Sequence, residues 1–443
     1  MKLWQKSIDV DKKIDSFTVG DDRELDLLLA PFDILGSIAH IKMLESIDLL
    51  TKPELESLTG ELKNLYQVAI KGEFVINDGV EDVHSQVEFI LTEKLGEVGK
   101  KIHSGRSRND QVLVDLKMYF RWEIEEIVKM VDQLFHTLIG LSDKYKNVLI
   151  PGYTHMQVAM PSSFGLWFGA YAESLSDDLH VLKAAYEIAN KNPLGSAAGY
   201  GSSFPLDREM TTQLLGFDQP NYNVVYSQMT RGKTEKALAN AVAAVSSTLA
   251  KMSMDICLYM GQNFGFLTFP DDLTTGSSIM PHKKNPDVFE LIRGRSNQLQ
   301  ALPNEISLLL TNLPSGYHRD LQGLKERLFP GIQSLKDCLM IADFALNQIV
   351  IKDEIVNDPK YDYLFTVELV NQLVLEGMPF RDAYKEVGQR VEEGTYQPNR
   401  NVNHTHLGSL GNLGNEQIVE HQKRELEKFP FGKVSESIEK LIS

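Results

Sequence analysis

Four segments of the 443-residue chain gather groups that could hold an anion or move a proton. The first is His103-Ser104-Gly105-Arg106-Ser107-Arg108-Asn109-Asp110-Gln111. Ser107 with Asp110 three positions later fits a capping box, so a helix opens here. A helix N-terminus presents free N–H groups and a partial positive charge, and two arginines and a histidine crowd the same turn. That set suits a carboxylate or a phosphate. The plainer alternative is an ordinary cap with solvated arginines. The second segment, Pro151 to Gln157, carries Thr154 and His155 in a turn between helical stretches. A histidine, with its ordinary pKa near ~6.5, is a possible proton carrier, although a lone one in a turn is more often just solvated.

The third segment runs from Thr274 to Asp287 through Gly276-Ser277-Ser278 and His282-Lys283-Lys284-Asn285-Pro286. It reads as a Gly/Ser loop ending on a helix, with Asn285 as the N-cap and Pro286 as the first helical residue. Hydroxyls and ammonium groups on such a loop are the pattern of a lid closing over an anion. The alternative is a surface loop before a well-capped helix. The fourth segment, Leu313 to Lys325, brings Tyr317, His318, Arg319, Gln322 and Lys325 together before another helix. Read by itself, it is as easily a simple inter-helix connection.

The elements that must position these segments are long helices. From Ile124, apolar residues recur at Ile127, Val128, Val131, Leu134, Phe135 and Leu138, one face of a helix. Ala237, Leu238, Ala241, Val242, Val245, Leu249, Met252, Ile256 and Tyr259 repeat the pattern, and no Gly or Pro interrupts residues 233–260. A further stripe runs Leu335, Leu339, Ala342, Leu346, Ile349, and stretches near 162–190 and 287–311 are also helical in character. Long antiparallel helices with such faces imply a bundle, so the fold class is all-α. Phe74-Val75-Ile76 is the best strand candidate, and a weak one. Composition shifts put boundaries near residues 105 and 355. The units are then 1–105, 106–355 and 356–443, with loops over Glu393–Gln417.

Composition narrows the rest. The formal charge is −16, which argues against nucleic acid and anionic membranes as partners. Cys257 and Cys338 are the only cysteines, too few for a disulfide framework or a thiolate metal site, and both read as buried thiols. Met1 to Asp9 has no apolar signal core, and no uninterrupted apolar run has membrane length, so a cytoplasmic location is expected.

Gly276-Ser277-Ser278-Ile279-Met280-Pro281-His282-Lys283-Lys284-Asn285-Pro286 resembles the signature loop of the fumarase/aspartase superfamily. His103–Gln111, Pro151–Gln157, Leu313–Gln322, Asp33–His40 and Gly377–Arg381 are similar to the argininosuccinate lyase branch of that superfamily. The likeness spans roughly residues 20–390. His282 stands where that family usually has Gln. The segment around Thr18–Asp22 lacks the family's serine.

This resemblance implies a three-domain, all-α fold. Its long helices associate as a homotetramer with active sites shared between subunits. It implies β-elimination of a small anionic substrate, argininosuccinate, to arginine and fumarate, with no metal or organic cofactor. The sister lyases of the superfamily and a catalytically silent crystallin-like relative are the alternatives. By matching position, Ser277 is the base and His155 the proton donor to the leaving nitrogen, two roles that could be exchanged. Glu290 pairs with His155, Lys283 holds the developing dianion and Asn285 bonds the same carboxylate. Ser107, Arg108, Asn109, Thr154, Arg231, Tyr317, Gln322 and Lys325 bind substrate, and Asp82 meets the arginine end.

Overall fold

The computed structural model describes residues 12–276 and 278–443. Met1 to Asp9 and Ser277, both singled out above, lie outside the described residues.

The periodic stripes become one helical bundle. The 37-residue helix α4 (Arg108–Lys144) buries Ile124, Ile127, Val128, Val131, Leu134, Phe135 and Leu138 along one face. It packs on α5 (Phe164–Ala189), which in turn packs on α6 (Lys233–Met260). Two further helices, α7 (Asp287–Leu299) and α8 (Gly323–Leu346), complete the core with residues such as Phe289, Ile292, Leu335 and Leu339. At 1.5 Å per residue, α4 is about 55 Å long and α6 about 42 Å. The stretch 224–260 is long and apolar enough to cross a membrane by composition, yet 56% of its most apolar window is buried, which makes it a core helix.

A second apolar cluster forms where α1 (Ala30–Ser46), α2 (Lys52–Ile70) and α3 (Val83–Leu95) meet. Ile34, Ile38, Leu58, Leu62 and Val87 fill it, and Leu194, Leu215, Phe217 and Leu441 join from far along the chain. A third, small cluster joins α9 (Thr366–Leu375) to α10 (Phe380–Glu392) through Val370, Ala383, Val387 and Tyr396. Beyond the 393–414 loops, α11 (Asn415–Leu426) lies against α4 and α5. The last helix, α12 (Phe431–Ile442), returns to the second cluster.

Three sequence expectations need correction. Phe74-Val75-Ile76 is an irregular connection; no strand pairs with it among the described residues, so its backbone has no ladder to join. The longest strands lie instead at β1 (Leu149–Thr154) and β2 (Gln157–Ser163), an antiparallel hairpin through the segment read as a turn between helices. The stretch 287–311 is two helices, the second (Leu302–Leu309) starting with a proline in its first turn.

Candidate active site

Helix starts build the first half of the site. Ser107 caps α4, accepting from the Asn109 N–H at 3.2 Å, while its own N–H donates to Asp110 at 2.8 Å. The other Asp110 oxygen accepts from the backbone N–H groups of Gly195 and Ala197 at 3.0 and 2.9 Å. Burial pushes this carboxyl up to about 6, opposed by those N–H groups and by Arg106. The cap is therefore fixed in place from two sides, and so is the first turn that carries Arg108 and Asn109.

Arg108 reaches from that turn to Glu81 at 2.9 Å, Asp82 at 3.3 Å and the Ser85 hydroxyl at 2.7 Å. Asp82 is itself the N-cap of α3, accepting from the Ser85 N–H at 2.8 Å. Arg231, just before α6, donates to the Leu321 carbonyl at 2.9 Å and pairs with Glu235 at 3.0 Å. Lys325, in the first turn of α8 and only 5% exposed, lies 2.6 Å from both Asp22 and Asp26. Gln322 donates to the Val19 carbonyl at 2.7 Å.

These groups line one cavity of about 140 Å³, together with Asn109, Tyr317, Arg319 and His84. Three arginines and a lysine, Arg108, Arg231, Arg319 and Lys325, interleave there with four carboxylates, Asp22, Asp26, Glu81 and Asp82. Such a lining complements a molecule that bears both carboxylates and a cation. The spacing motifs missed Asp22, Asp26, Glu81 and His84 as members, while Arg319 was picked out only as part of the fourth segment. Asp22 and Asp26, four apart before α1, and the run Glu81-Asp82-Val83-His84 were the available signals. The Thr18–Asp22 segment, lacking the expected serine, contributes backbone carbonyls and a carboxylate instead.

His84 anchors the floor of the cavity. Its Nδ1 lies 2.6 Å from Asp33 and 3.5 Å from Asp115, all three buried. Burial alone would lower its pKa. The Asp33 and Asp115 carboxylates outweigh that and raise it to about 10, so the ring is a fixed imidazolium near neutral pH.

The remaining candidates lie elsewhere. Thr154 pairs with Gln157 across the hairpin, leaving His155 and Met156 as a two-residue turn with φ of 53° and 61°. Both are left-handed and neither is glycine, which costs ~1–2 kcal/mol per residue. Strain of that kind clusters at functional sites, and here it presents an exposed His155. Gly152 is required below the turn: a Cβ there would meet the Met160 carbonyl at 2.8 Å.

The 274–287 loop is closed at its base by a bridge between Thr275 and Asn285, whose N–H donates to the Thr275 carbonyl at 2.9 Å. Because Asn285 is engaged this way, the N-cap falls on Pro286 and the helix begins at Asp287, one residue later than its sequence suggests. Asp287 reaches back to the Thr275 N–H at 3.1 Å. Lys283 and Lys284 stand exposed on the loop, Lys284 paired with Asp271. Glu290, expected beside His155, faces Arg293 at 3.9 Å within one chain.

The two groups of candidates therefore occupy opposite ends of the bundle. Arg108 and Arg231 sit at the N-terminal ends of α4 and α6. The hairpin follows the C-terminal end of α4, and its Tyr153 packs on Phe264 just beyond α6, with ring centroids 5.7 Å apart. His282 and Lys284 line a cavity beside Met260, also at that end.

Residues 1–301 match a family model described as Lyase. The argininosuccinate lyase of Parabacteroides distasonis is 60% identical over 441 residues, covering 100% of this chain and 99% of that protein. The argininosuccinate lyase of Bacteroides fragilis is 61% identical, over 97% of this chain and 96% of its own. Among solved structures, an EDDS lyase in complex with formate superposes with a TM-score of 0.77 at 20% identity, covering 98% of this chain and 97% of that one, a likeness of fold.

Proposed function

The chain belongs to the argininosuccinate lyase family of the fumarase/aspartase superfamily, and from that premise we propose that it cleaves argininosuccinate to arginine and fumarate. The observation that carries this reading is the full-length 60% identity to a curated argininosuccinate lyase. The mixed cavity supports it, because the substrate joins a dicarboxylate, through a guanidinium linkage, to an α-amino acid that carries a further ammonium and carboxylate.

The chemical difficulty is a carbon acid. A proton leaves the carbon next to a carboxylate, and its electron pair spreads into that carboxylate as a dianion. Fixed cations and N–H dipoles lower the cost of that charge more than water can. In this reading Ser277 takes the proton, with Lys283 and the start of α7 holding its oxygen as the anion. Lys283 and Asn285 then stabilise the dianion. As the dianion collapses, the carbon–nitrogen bond breaks, and His155 gives its proton to the departing guanidino nitrogen. Glu290 orients His155. Ser107, Arg108, Asn109, Thr154, Arg231, Tyr317, Gln322 and Lys325 hold the substrate, with Asp82 toward its arginine end.

One chain keeps its cationic cavity and its proton carriers at opposite ends of the long helices. We read the working enzyme as a homotetramer whose sites draw on several subunits. Exposed apolar residues on the bundle helices, Met254, Leu291, Met340 and Phe344, support such burial between chains. We read the three apolar clusters as three units, 1–105, 106–355 and 356–443, whose last two helices dock back on the first two. A cytoplasmic location accords with the reading.

Purified protein offered argininosuccinate, adenylosuccinate, malate and aspartate separately, with fumarate followed by absorbance, tests the assignment. Fumarate from argininosuccinate alone is the expected result. Activity confined to another of the four, or none at all as in a silent crystallin-like homologue, would overturn it.

A further inference from the structure

Bundle helix α5 and tail helix α11 meet along a seam with a polar centre. The Ser176 hydroxyl donates to the Gln422 carbonyl at 2.9 Å, and the Gln422 amide donates to Asp132 at 3.1 Å. Where this seam reaches the surface, two histidines face two carboxylates. Asp177 and His180 are three apart on α5, and His421 and Glu425 are four apart on α11, so each pair shares one helix face. His180 Nδ1 is 3.2 Å from a Glu425 oxygen, and His421 Nε2 is 3.9 Å from an Asp177 oxygen. One ligand-capable atom from each of Asp177, His180 and His421 falls within 4.8 Å of the others.

We propose that this cluster binds one divalent ion of the zinc type, which staples the tail helix to the bundle. His180, His421 and Asp177 supply three ligands; Glu425 or water supplies the fourth. Two imidazoles with carboxylates suit zinc and its late first-row neighbours. Tetrahedral bonds of ~2.0–2.2 Å put ligand atoms ~3.3–3.6 Å apart, so the observed separations close with small side-chain rotations. Asp177 and His180 expose 77% and 52% of their side chains, which leaves the ion a path from solvent.

A competing cation is already present. Lys428 Nζ lies 2.6 Å from each Glu425 oxygen, and its side chain is 50% exposed, free to swing outward. The buried Asp33–His84–Asp115 group offers a contrast. His84 there is already hydrogen-bonded to Asp33 at 2.6 Å, and all three side chains are buried.

The test uses the full-length protein after chelator treatment, titrated calorimetrically with Zn²⁺ and spectroscopically with Co²⁺. One Zn²⁺ per chain and the visible absorption of four-coordinate Co²⁺ are expected. His180→Asn and His421→Asn each weaken binding at least ~10-fold, as loss of a ligand does. Lys428→Met tightens it. His404→Asn, which removes a different histidine 3.0 Å from Glu368, leaves it unchanged. Absence of stoichiometric binding, or binding that survives loss of both His180 and His421, would overturn the proposal.

Discussion

Arg108 opens a 37-residue helix whose far end runs into the hairpin bearing His155, so about 55 Å of rigid helix keeps the two apart in one chain. No loop closure spans that distance. If both act on one substrate molecule, they come from different chains. The mixed-charge cavity lies at the Arg108 end, and the hairpin and the base of the 274–287 loop, to which we assign the proton transfer, lie at the other.

Ser277→Ala tests the chemistry of the loop. Loss of the proposed proton carrier should cut turnover ~10²–10⁴-fold, the usual range for a positioned one. The thermal midpoint should not move. Stopped assays of fumarate release beside a thermal melt check both, and near-full activity would remove Ser277 from its role.

Gly152→Ala tests whether the hairpin aims His155. The new Cβ would press on the Met160 carbonyl at 2.8 Å and push the strands apart. Misplacing a catalytic group by about 1 Å can cost on the order of 10²-fold, so kcat should fall by that order. Far-ultraviolet circular dichroism should show the helices intact.

Lys325→Met tests the buried cation of the cavity. It strands Asp22 and Asp26, which lie 2.6 Å from the ammonium group. Removing one partner of a buried charge group typically costs about 3–5 kcal/mol. The deficit should shrink as pH falls and the stranded carboxyls take up protons. Urea melts at pH 8 and pH 5 measure it, and an equal deficit at both would contradict this account.

His84 should stay protonated through neutral pH. Its folded pKa of about 10 lies above the unfolded value near ~6.5. A raised histidine pKa means that its stabilising contribution is complete below pH ~6.5 and is lost as pH rises toward 10. Nuclear magnetic resonance of labelled imidazole rings should show one histidine still charged at pH 8, missing in His84→Gln. Titration of all the rings near 6.5 would refute the fixed imidazolium.

The bundle was legible in the sequence because period-3.6 stripes such as Ile124 to Leu138 report directly on burial. The capping box at Ser107 was equally plain, since both partners lie within one turn. The hairpin was not, because Pro151, Gly152 and Pro161 read as breakers, and its turn uses His155 and Met156 where glycine or asparagine is usual. The cavity was half legible. Arg108 and Lys325 announced themselves at helix starts, but their partners Glu81 and Asp22 are brought in by folding over long separations. The distance between the two groups of candidates is invisible to motif reading, since it depends on helix length and direction and on no single residue.

The division of labour between chains is tested most directly by mixing two inactive variants. Arg108→Ala removes a binding-end group and His155→Asn a proton carrier, and each alone should release almost no fumarate from argininosuccinate. Denatured together in equal amounts and refolded, they should recover about a quarter of the wild-type rate, because in a symmetric assembly half the binding ends and half the catalytic ends are intact and pair at random. Recovery near that level is the predicted result. A mixture as inactive as its two components, in an assembly shown to contain both variants, would contradict the shared site.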